Sequence, residues 1–492
     1  EIAQAECTLG DLNANAHNVT FSDRKLRAHI DTNRFDIGAM AKIFPTLQTY
    51  NASGHAEIHF DLHVAEKQPQ ANGTISLAGV SLSRANDKNT LIDNLNGEVH
   101  LVSTGLDAGP LKFDLGGGHA TATFHVNSMQ PLNASYNLSI DTIKVANFAP
   151  DRPDDELLNN VVMIGTVEQG SELSINTKMA ASDGTLAHIV FKGFDLSATK
   201  IGNQLEVQSL KLGAFNGDIL ASGKATLGDN PEFALNLTTS NVDIQSALES
   251  QHAKAAGMIR GILDAQLQIS GRGAKLDVIK PTLAGNGRAT VHEGKLIGVN
   301  LAKDALKKVN GIPGIGDLVP AALVQKHPEL FDSPDTDINS ASLTFALTGP
   351  RITTHDLIVQ TPDYWMTGDG WFDMEKNIEM GAHMLLTRGF TKEFIAERKN
   401  VAYLTNNAGQ VDIPFVVRGA LPKPLVVPDV AELAQRVGSR LLDRNARAIG
   451  KFLDKKNLPF INGGGNGGGS SSGNGSAKPS NNPIDQLKGL LH

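Results

Sequence analysis

The chain has 492 residues and a mass of 52.2 kDa, with 40% hydrophobic residues, 20% charged residues and a formal net charge of −8. No block of basic residues dominates, so the sequence lacks the electrostatic footprint of a nucleic-acid-binding protein. The single cysteine, Cys7, excludes an internal disulfide and a cysteine-based metal site. No segment approaches the roughly 18–20 consecutive apolar residues of a membrane span. Because the sequence starts at Glu1 rather than Met, we expect an N-terminal signal or anchor to be missing from it.

A glycine followed by alternating apolar residues recurs along the chain. In segment 54–64 every second residue is apolar and the residues between them are polar. The pattern starts at Gly54, Gly73, Gly97, Gly223, Gly287 and Gly370. A period of two predicts strands with one apolar and one polar face, and we expect the glycines to mark turns and strand entries. The predicted fold is mainly β: a long antiparallel sheet curled into an elongated apolar groove of repeated strand units, with a few capping helices and a C-terminal amphipathic helix.

These patterns divide the chain into successive segments. They are an N-terminal β-groove segment (1–150), a central β repeat segment (151–270), a C-terminal β region (271–428), a C-terminal helix (429–461), a flexible Gly/Ser linker (462–482) and a short amphipathic tail (483–492). Short helices are predicted at 300–331 and at 391–399, the second opened by Thr391 as its N-cap. The acidic loop 151–156 is predicted to lead into a turn of helix at Leu157.

An internal repeat of about three strands occurs in three copies. Residues 106–145 align with 205–244, so that Gly118 corresponds to Gly217, and a third copy begins at Leu357. A shift of one residue would exchange the two faces of every strand. The shared register therefore indicates that the copies present the same apolar face.

Candidate chemistry is sparse. The best metal candidates are His55, His59 and His63, since imidazoles on one strand face can bind zinc, but a solvated polar face is the favoured explanation for them. Loop 151–156 lacks the Asp-x-Asp-x-Asp-Gly order of a calcium site, and segment 217–226 departs from a phosphate-binding loop in its spacing. The sequence has neither a Gly-x-Ser-x-Gly nor a His-Glu-x-x-His motif. We predict no catalytic residue, no bound metal and no cofactor.

The predicted C-terminal helix has an apolar stripe and a basic side. Candidates for contact with an anionic membrane surface are Arg436, Arg440, Arg444, Arg447 and Lys451. The alternative is a helix packed on the sheet with these side chains in water. The tail 483–492 is too short to form a stable helix alone, and its flexible tether is typical of a docking element.

Three segments in the C-terminal part of the chain carry a resemblance to a known family. They are 285–301 (GNGRATVHEGKLIGVNL), 338–374 (INSASLTFALTGPRITTHDLIVQTPDYWMTGDGWFDM) and 411–430 (VDIPFVVRGALPKPLVVPDV). These segments resemble the C-terminal region of AsmA family proteins. The closing helix and the Gly-rich tether also fit the end of that family, whereas residues 1–270 are similar only in general strand style. The resemblance implies a bacterial envelope protein with a periplasmic body and an N-terminal inner-membrane anchor. The family is implicated in outer-membrane biogenesis, and some relatives look like bridge-type lipid conduits. Its motifs are glycine turns and strand faces, with no catalytic residue to carry over.

Few predicted helices are available to cover the apolar strand faces. An uncovered apolar groove would bind acyl chains, because each CH2 removed from water contributes about 0.8 kcal/mol. We therefore expect a periplasmic protein that binds or conducts phospholipid between envelope membranes, anchored in the inner membrane and free of nucleic acid. The tail 483–492 would dock an envelope protein. Residues predicted to line the groove are Ile58, Phe60, Leu62, Val99, Leu101, Phe113, Leu210, Leu212, Leu235, Leu237, Phe345, Leu347, Phe372, Met374, Met380 and Met384.

Two other functions stay open at this point. A non-enzymatic scaffold that assists outer-membrane protein assembly would have its strands closed into dry sandwiches. A zinc-dependent enzyme would use His55, His59 and His63 and would purify with stoichiometric metal.

Overall fold

The computed structural model describes residues 2–22, 25–41, 50–65, 68–84, 90–103, 105–149, 152–309, 320–420 and 424–437. Strands dominate these residues, and the 24 strands belong to one open, antiparallel sheet. The predicted mainly β fold is confirmed. Contacts divide the chain into two compact units, Glu1–Lys254 with Leu263–Gly285 (unit 1) and Ala255–Ile262 with Asn286–His492 (unit 2).

The elements follow one another with short connections. In the first part of the chain they are β1 (Ile2–Leu9), β2 (Leu12–Ser22), β3 (Lys25–Thr32), β4 (Phe35–Asp36), α1 (Ile37–Ala41), β5 (Tyr50–Ala65), β6 (Gln68–Arg84), β7 (Thr90–Val102), β8 (Gly105–Leu115), β9 (Gly118–Met129), β10 (Leu132–Lys144), a 3-10 turn (Val145–Asn147), β11 (Leu157–Gln169), β12 (Leu173–Leu186), β13 (Ile189–Ile201), β14 (Gln204–Ala214), β15 (Gly217–Thr226), β16 (Glu232–Asp243) and α2 (Ile244–Ser250).

The remaining elements are richer in helix. They are β17 (Ile259–Arg272), α3 (Leu276–Ile279), a 3-10 turn (Lys280–Thr282), β18 (Ala284–Leu296), α4 (Leu301–Val309), α5 (Ala321–Lys326), α6 (Pro328–Phe331), β19 (Thr336–Thr348), β20 (Arg351–Gln360), β21 (Tyr364–Asp373), β22 (Asn377–Leu386), α7 (Arg388–Glu397), a 3-10 helix (Lys399–Leu404), β23 (Asp412–Ala420), β24 (Leu425–Pro428) and α8 (Val430–Val437).

Strand register in unit 1 aligns apolar side chains into rows that cross the sheet. Successive strands from β5 to β16 pair antiparallel with their sequence neighbours, so one row can be followed from partner to partner. This row contains Ile58, Ile75, Val99, Ala108, Phe124, Tyr136, Gly165, Thr177, Ala198, Val207, Gly223 and Leu235. Since side chains alternate along each strand, the row above and the row below it belong to the opposite, polar face.

The recurring glycines lie inside strands rather than at turns, so the expected role as turn and strand-entry residues was wrong. Several of these and other strand glycines accept a large side chain that leans across from the adjacent strand. A Cβ atom built on the glycine would lie 2.5–2.8 Å from that side chain in the pairs Gly97 and Leu111, Gly165 and Tyr136, Gly184 and Phe191, Gly223 and Leu235, and Gly368 and Met380. The missing side chain is a hollow that the neighbour fills, and only glycine provides it.

The predicted repeat corresponds to three strands followed by a helical segment. One copy is β8 to β10 with its 3-10 turn, and the next is β14 to β16 with α2. Corresponding backbone hydrogen bonds tie the first turn of each copy to the end of its third strand: Lys144 N donates to Gly116 O at 2.9 Å, and Asp243 N donates to Phe215 O at 2.8 Å. The same order of three strands and a helix recurs in unit 2 as β20 to β22 followed by α7.

In unit 2, helices cover one end of the apolar face of the strands. Each of the helices α4 to α8 contributes buried side chains to a core with β21, β22 and β23. This core includes Leu306, Leu323, Phe331, Phe394 and Leu433 from the helices, and Tyr364, Met384, Ile413 and Phe415 from the strands. The predicted short helices at 300–331 are confirmed as α4, α5 and α6, with 310–319 outside the described residues.

The prediction for α7 was wrong in its start and its cap. The helix begins at Arg388, and the Oγ1 atom of Thr387 accepts from Phe390 N, whereas Thr391 is buried inside the helix. Threonine is a good N-cap residue, and the sequence offers two at this spacing. The side chain of Asp429 caps α8, accepting from Glu432 N at 3.0 Å. Of the predicted C-terminal helix, the residues after Val437 lie outside the described part.

The acidic loop before β11 does not start a helix, since a strand begins at Leu157. Glu156 is 1% exposed, and its carboxylate accepts from Arg152 and, at 2.8 Å, from Ala187 N. The bond from Arg152 lowers the pKa of Glu156. The ionised carboxylate of Glu156 therefore connects the start of β11 to the turn between β12 and β13.

The hollow at Gly165 gives a first prediction. Gly165→Ala should lower the free energy of unfolding by about 1–3 kcal/mol, because the new methyl group meets the Tyr136 hydroxyl oxygen 2.5 Å away and the carbonyl of Asn176. Gly170→Ala is the matched control, since its Cβ would meet nothing closer than 3.9 Å. Urea unfolding followed by far-ultraviolet circular dichroism measures both. Equal stability of the two variants would show that Gly165 is not a required hollow.

Candidate functional site

The apolar face of unit 1 is one continuous cluster of side chains from β7 to β15. Its buried members include Leu111, Ala122, Ile140, Val161 and Phe191. In the described part of unit 1, every member of this cluster comes from a strand or its turn, apart from Val145 in the 3-10 turn. The sheet therefore packs this face largely against itself. We call the side of the sheet that carries this cluster, from β5 to β16, the apolar face.

The apolar face is unevenly covered. At β5 the short helix α1 lies over it, with Phe35 and Met40 packed against Ala56 and Ile58. Farther along, Phe124 is 38% exposed and Leu235 is 44% exposed. Large apolar side chains that stay in water are a recognised mark of binding surfaces when they form a contiguous patch.

The predicted lining residues of unit 1 share the apolar face. The register brings Ile58 into line with Val99 through Ile75, and Phe60 into line with Leu101 through Gly73. Leu62 is two residues farther along the same face of β5. Phe113 is buried, and Leu210, Leu212, Leu235 and Leu237 occupy the same face of β14 and β16.

The predicted lining residues of unit 2 fall into two groups. Leu347 and Phe372 are joined in one cross-strand row through Ile352, beyond the helix-covered end, and Phe345 is half-buried. Met374 follows β21 and is 41% exposed, whereas Met380 is buried over Gly368. Met384 is fully buried in the core beneath the helices, so a ligand could reach it only if that core opened.

The polar face near β2, β3 and β5 carries a network of imidazoles and carboxylates. His59 Nδ1 lies 2.7 Å from Asp31 Oδ1, His29 Nδ1 lies 2.8 Å from Asp61 Oδ1, and His29 Nε2 lies 3.2 Å from Asp31 Oδ2. The hydrogen bond that His29 donates to Asp61 raises the pKa of His29, and the one that His59 donates to Asp31 raises the pKa of His59. The bond to His59 lowers the pKa of Asp31 in turn.

The three histidines proposed as metal ligands lie on one face of β5 but are spread along it. At about 3.4 Å per residue, His55 and His63 are separated by roughly 27 Å of strand, far beyond the reach of one zinc ion. His59 is occupied by Asp31 and by Glu57, whose Oε1 is 3.2 Å from its Nε2. Within the described ranges, no group of three or more His, Cys, Asp or Glu residues is arranged to hold a metal ion.

A cavity of about 810 Å³ crosses the strands from β8 to β14. Two same-face residues of each of five consecutive strands line it: Thr123 and His125, Ser135 and Asn137, Ile164 and Thr166, Asn176 and Lys178, and Ser197 and Thr199. The residues between them, which include Phe124, Tyr136, Gly165 and Ala198, belong to the apolar face and line the cavity as well. We call this cavity the sheet cavity.

In unit 2, an ion-pair cluster fixes the small helices. Glu393 of α7 accepts from Lys326 Nζ at 2.7 Å and from His327 Nε2 at 3.0 Å. His327 also packs edge-on against Phe390, with ring centroids 4.9 Å apart. Asp363 lies nearby, and burial raises its pKa. These groups hold α5 against α7, and they bring no nucleophile together with a base.

Most of the candidate membrane-contact residues lie outside the part of the chain that the structure describes. Arg436 belongs to α8, and Arg440, Arg444, Arg447 and Lys451 lie outside the described residues, as do the linker and the tail 483–492. None of the helices that the structure describes has the length and apolarity needed to cross a membrane.

No protein-family model, no curated protein and no solved structure matches this chain. The resemblance to the AsmA family therefore stays a prediction from the quoted segments.

Sequence reasoning missed the sheet cavity, and no local pattern of residues would have found it. The concavity depends on the twist of the sheet, which such a pattern does not specify.

The closed end of unit 2 predicts a strong stability effect. Met384→Ala should lower the free energy of unfolding by about 2–5 kcal/mol, because it leaves a cavity among fully buried side chains. Met374→Ala, at an exposed site, should change it by less than about 0.5 kcal/mol. Both tryptophans of the chain, Trp365 and Trp371, lie in β21, so tryptophan fluorescence during urea unfolding reports on unit 2. Equal effects would contradict a closed core.

The histidine network predicts a pH dependence. His29 and His59 should titrate above 6.5, and their contribution to stability should be fully present below that pH and lost as the pH rises through their folded pKa. Both side chains are nearly half-exposed, so the contribution is at most about 1 kcal/mol. In Asp31→Asn the pKa of both imidazoles should fall, as measured by NMR titration. His119, which pairs with Asp114, is the internal control, and unchanged values at all three would rule the network out.

Proposed function

We propose that the protein binds or conducts the acyl chains of phospholipids along the apolar face, between the membranes of a bacterial envelope. The observation that carries the proposal is the unbroken cross-strand row of the apolar face from β5 to β16, together with the lack of a described helical layer over most of it. Acyl chains need no hydrogen bonds and gain free energy in proportion to the apolar area they cover.

The proposal includes a place in the cell and a mode of action. The chain would be an AsmA-like periplasmic protein of outer-membrane biogenesis, held to the inner membrane by an anchor outside this sequence, and it would do no covalent chemistry. Support comes from the resemblance of the quoted C-terminal segments and from the exposed apolar side chains at Phe124 and Leu235. The extended rows suit a ligand that moves along the sheet rather than one held at a single point.

A charge on the apolar face tests the proposal. Leu235→Asp should abolish the co-purification of phospholipid while the protein stays folded, because Leu235 is half-exposed and a carboxylate there can remain in water. Mass spectrometry of extracted lipid measures occupancy, and circular dichroism measures folding. Asn236→Asp is the matched control, since the next residue of β16 belongs to the polar face and is exposed.

Photo-crosslinkers at Phe60, Leu235 and Phe372 provide a second measurement. Capture of lipid at these positions and not at Asn236 supports the proposal. If the native protein carries no extractable lipid and none of the crosslinkers captures any, lipid binding is wrong. A scaffold for outer-membrane protein assembly would instead give crosslinks to protein at the same positions.

A further inference from the structure

One end of the strands in unit 1 carries a row of exposed apolar side chains. Five successive turns at this end join β7 to β8, β9 to β10, β11 to β12, β13 to β14 and β15 to β16. Each turn, counted with the strand residues that flank it, has a large apolar side chain that is at least one-third exposed: Val102, Met129, Leu173, Ile201 and Leu227. Antiparallel hairpins alternate between the two ends of a sheet, so all five turns share one end. We call this row the free lip.

The turns at the other end of these strands are mostly packed. Leu115, Ile189 and Phe215 lie in or next to those turns, and each packs against the buried cluster of the apolar face. Two large apolar residues, Phe148 and Val190, stay exposed there. The cluster, as described, includes no residue of the free lip, so the core of unit 1 leaves the lip uncovered.

We propose that the free lip of unit 1 inserts into the headgroup region of a lipid bilayer. This is a contact with a membrane surface, and it is separate from the carriage of acyl chains along the apolar face. The five turns extend over about 38 Å at roughly 4.8 Å per strand. The row continues at α3, where Leu276 is 66% exposed and where Gly273 N donates to Pro231 O of the last turn at 2.8 Å.

The exposed side chains of the free lip lie on both sides of the sheet. Leu173 is four residues from Thr177 in the cross-strand row, an even number, so it lies on the side of the apolar face. Val102 and Ile201 are each three residues from a member of that row, so they lie on the opposite side. A protein surface that docks against one side would leave the others in water. A fluid interface surrounds the tip of a sheet and covers both sides at once.

The backbone of the free lip is prepared for a medium of low polarity. Neighbouring turns are joined by hydrogen bonds: Gly202 N donates to Leu173 O at 3.2 Å, and Leu227 N donates to Asn203 O at 2.8 Å. Polar backbone groups that are already paired cost less free energy to move out of water. Shallow insertion, about 5–10 Å deep, would bring only these turns into the interface.

The free lip has little net charge. The four turns 102–105, 129–132, 169–173 and 201–204 contain one charged residue, Glu172. Farther along, Asp229 and Glu232 are offset by Arg272 and Lys275, and Arg272 Nε lies 3.6 Å from Glu232 Oε1. We therefore expect apolar contact, rather than attraction to anionic lipid, to determine the affinity.

A second copy of the chain fits the free lip less well. A stable protein interface buries roughly 800 Å² on each partner. The free lip is a row one residue wide, and its half-exposed side chains offer on the order of a few hundred Å². A bilayer needs no such area at one place, because every side chain that enters it contributes on its own.

The experiment uses the intact chain and sucrose-loaded phosphatidylcholine vesicles, which have no net charge. Sedimentation of the vesicles should carry the native protein down equally at low and at high salt. The double variant Met129→Ser with Ile201→Ser should bind about tenfold more weakly, because two apolar side chains leave the contact. The matched control is Val190→Ser with Leu220→Ser, whose side chains have similar exposure but lie away from the lip. Circular dichroism checks that both variants fold.

Three results would overturn the proposal: no binding of the native protein to these vesicles, equal binding by the two double variants, or binding only to phosphatidylglycerol vesicles that is lost at high salt. A dimer that the lip variant dissociates, seen by sedimentation velocity, would assign the lip to a second copy instead. Phospholipid extracted from the lip variant should equal that from the native protein, and Leu235→Asp should still bind vesicles. A failure here is therefore distinct from a failure of the lipid-carriage proposal.

Discussion

The continuous antiparallel register is the constraint on which the rest of the structure depends. Each strand from β5 to β15 is paired with a neighbour on both sides, and a slip of one residue would carry its apolar side chains to the polar face. The bulged pairings, such as the register shift between Ala108 and Leu111, correct the rows locally without losing the face. Two surfaces of opposite character therefore extend along one sheet, separated only by the thickness of a backbone.

Glycine has an active part in that arrangement. The Tyr136 side chain packs over Gly165 and the Leu235 side chain packs over Gly223, so each glycine leaves space for a large apolar neighbour. In unit 2, described by itself, the apolar side of the strands is closed at one end by helices, as at Met384.

Much of the fold could be predicted from the sequence, because a period of two over many residues has few interpretations. The three-strand copies were found for the same reason: Gly118 and Gly217 each begin the second strand of a copy. What could not be predicted depends on contacts between distant residues. Met384 and Leu237 have the same place in the repeat, yet only Met384 lies under helices contributed from elsewhere in the chain. The sheet cavity was missed because strand twist and mutual hydrogen bonding, as between Asn176 and Thr199, leave no local mark in the sequence.

The spacing of the helical segments has a consequence for how such a molecule could have grown. In unit 1, β5 to β10 end at the 3-10 turn Val145–Asn147, and β11 to β16 end at α2, so each run contains six strands. After an even number of antiparallel strands, the chain is back at the edge of the sheet where the run began, and the next strand has the same direction as the first. Duplication of one run within the gene would thus add about 29 Å of both surfaces at once, with no need to reinvent a turn or invert a strand. The length of the sheet would then depend on the number of six-strand runs, and a single gene duplication can change that number.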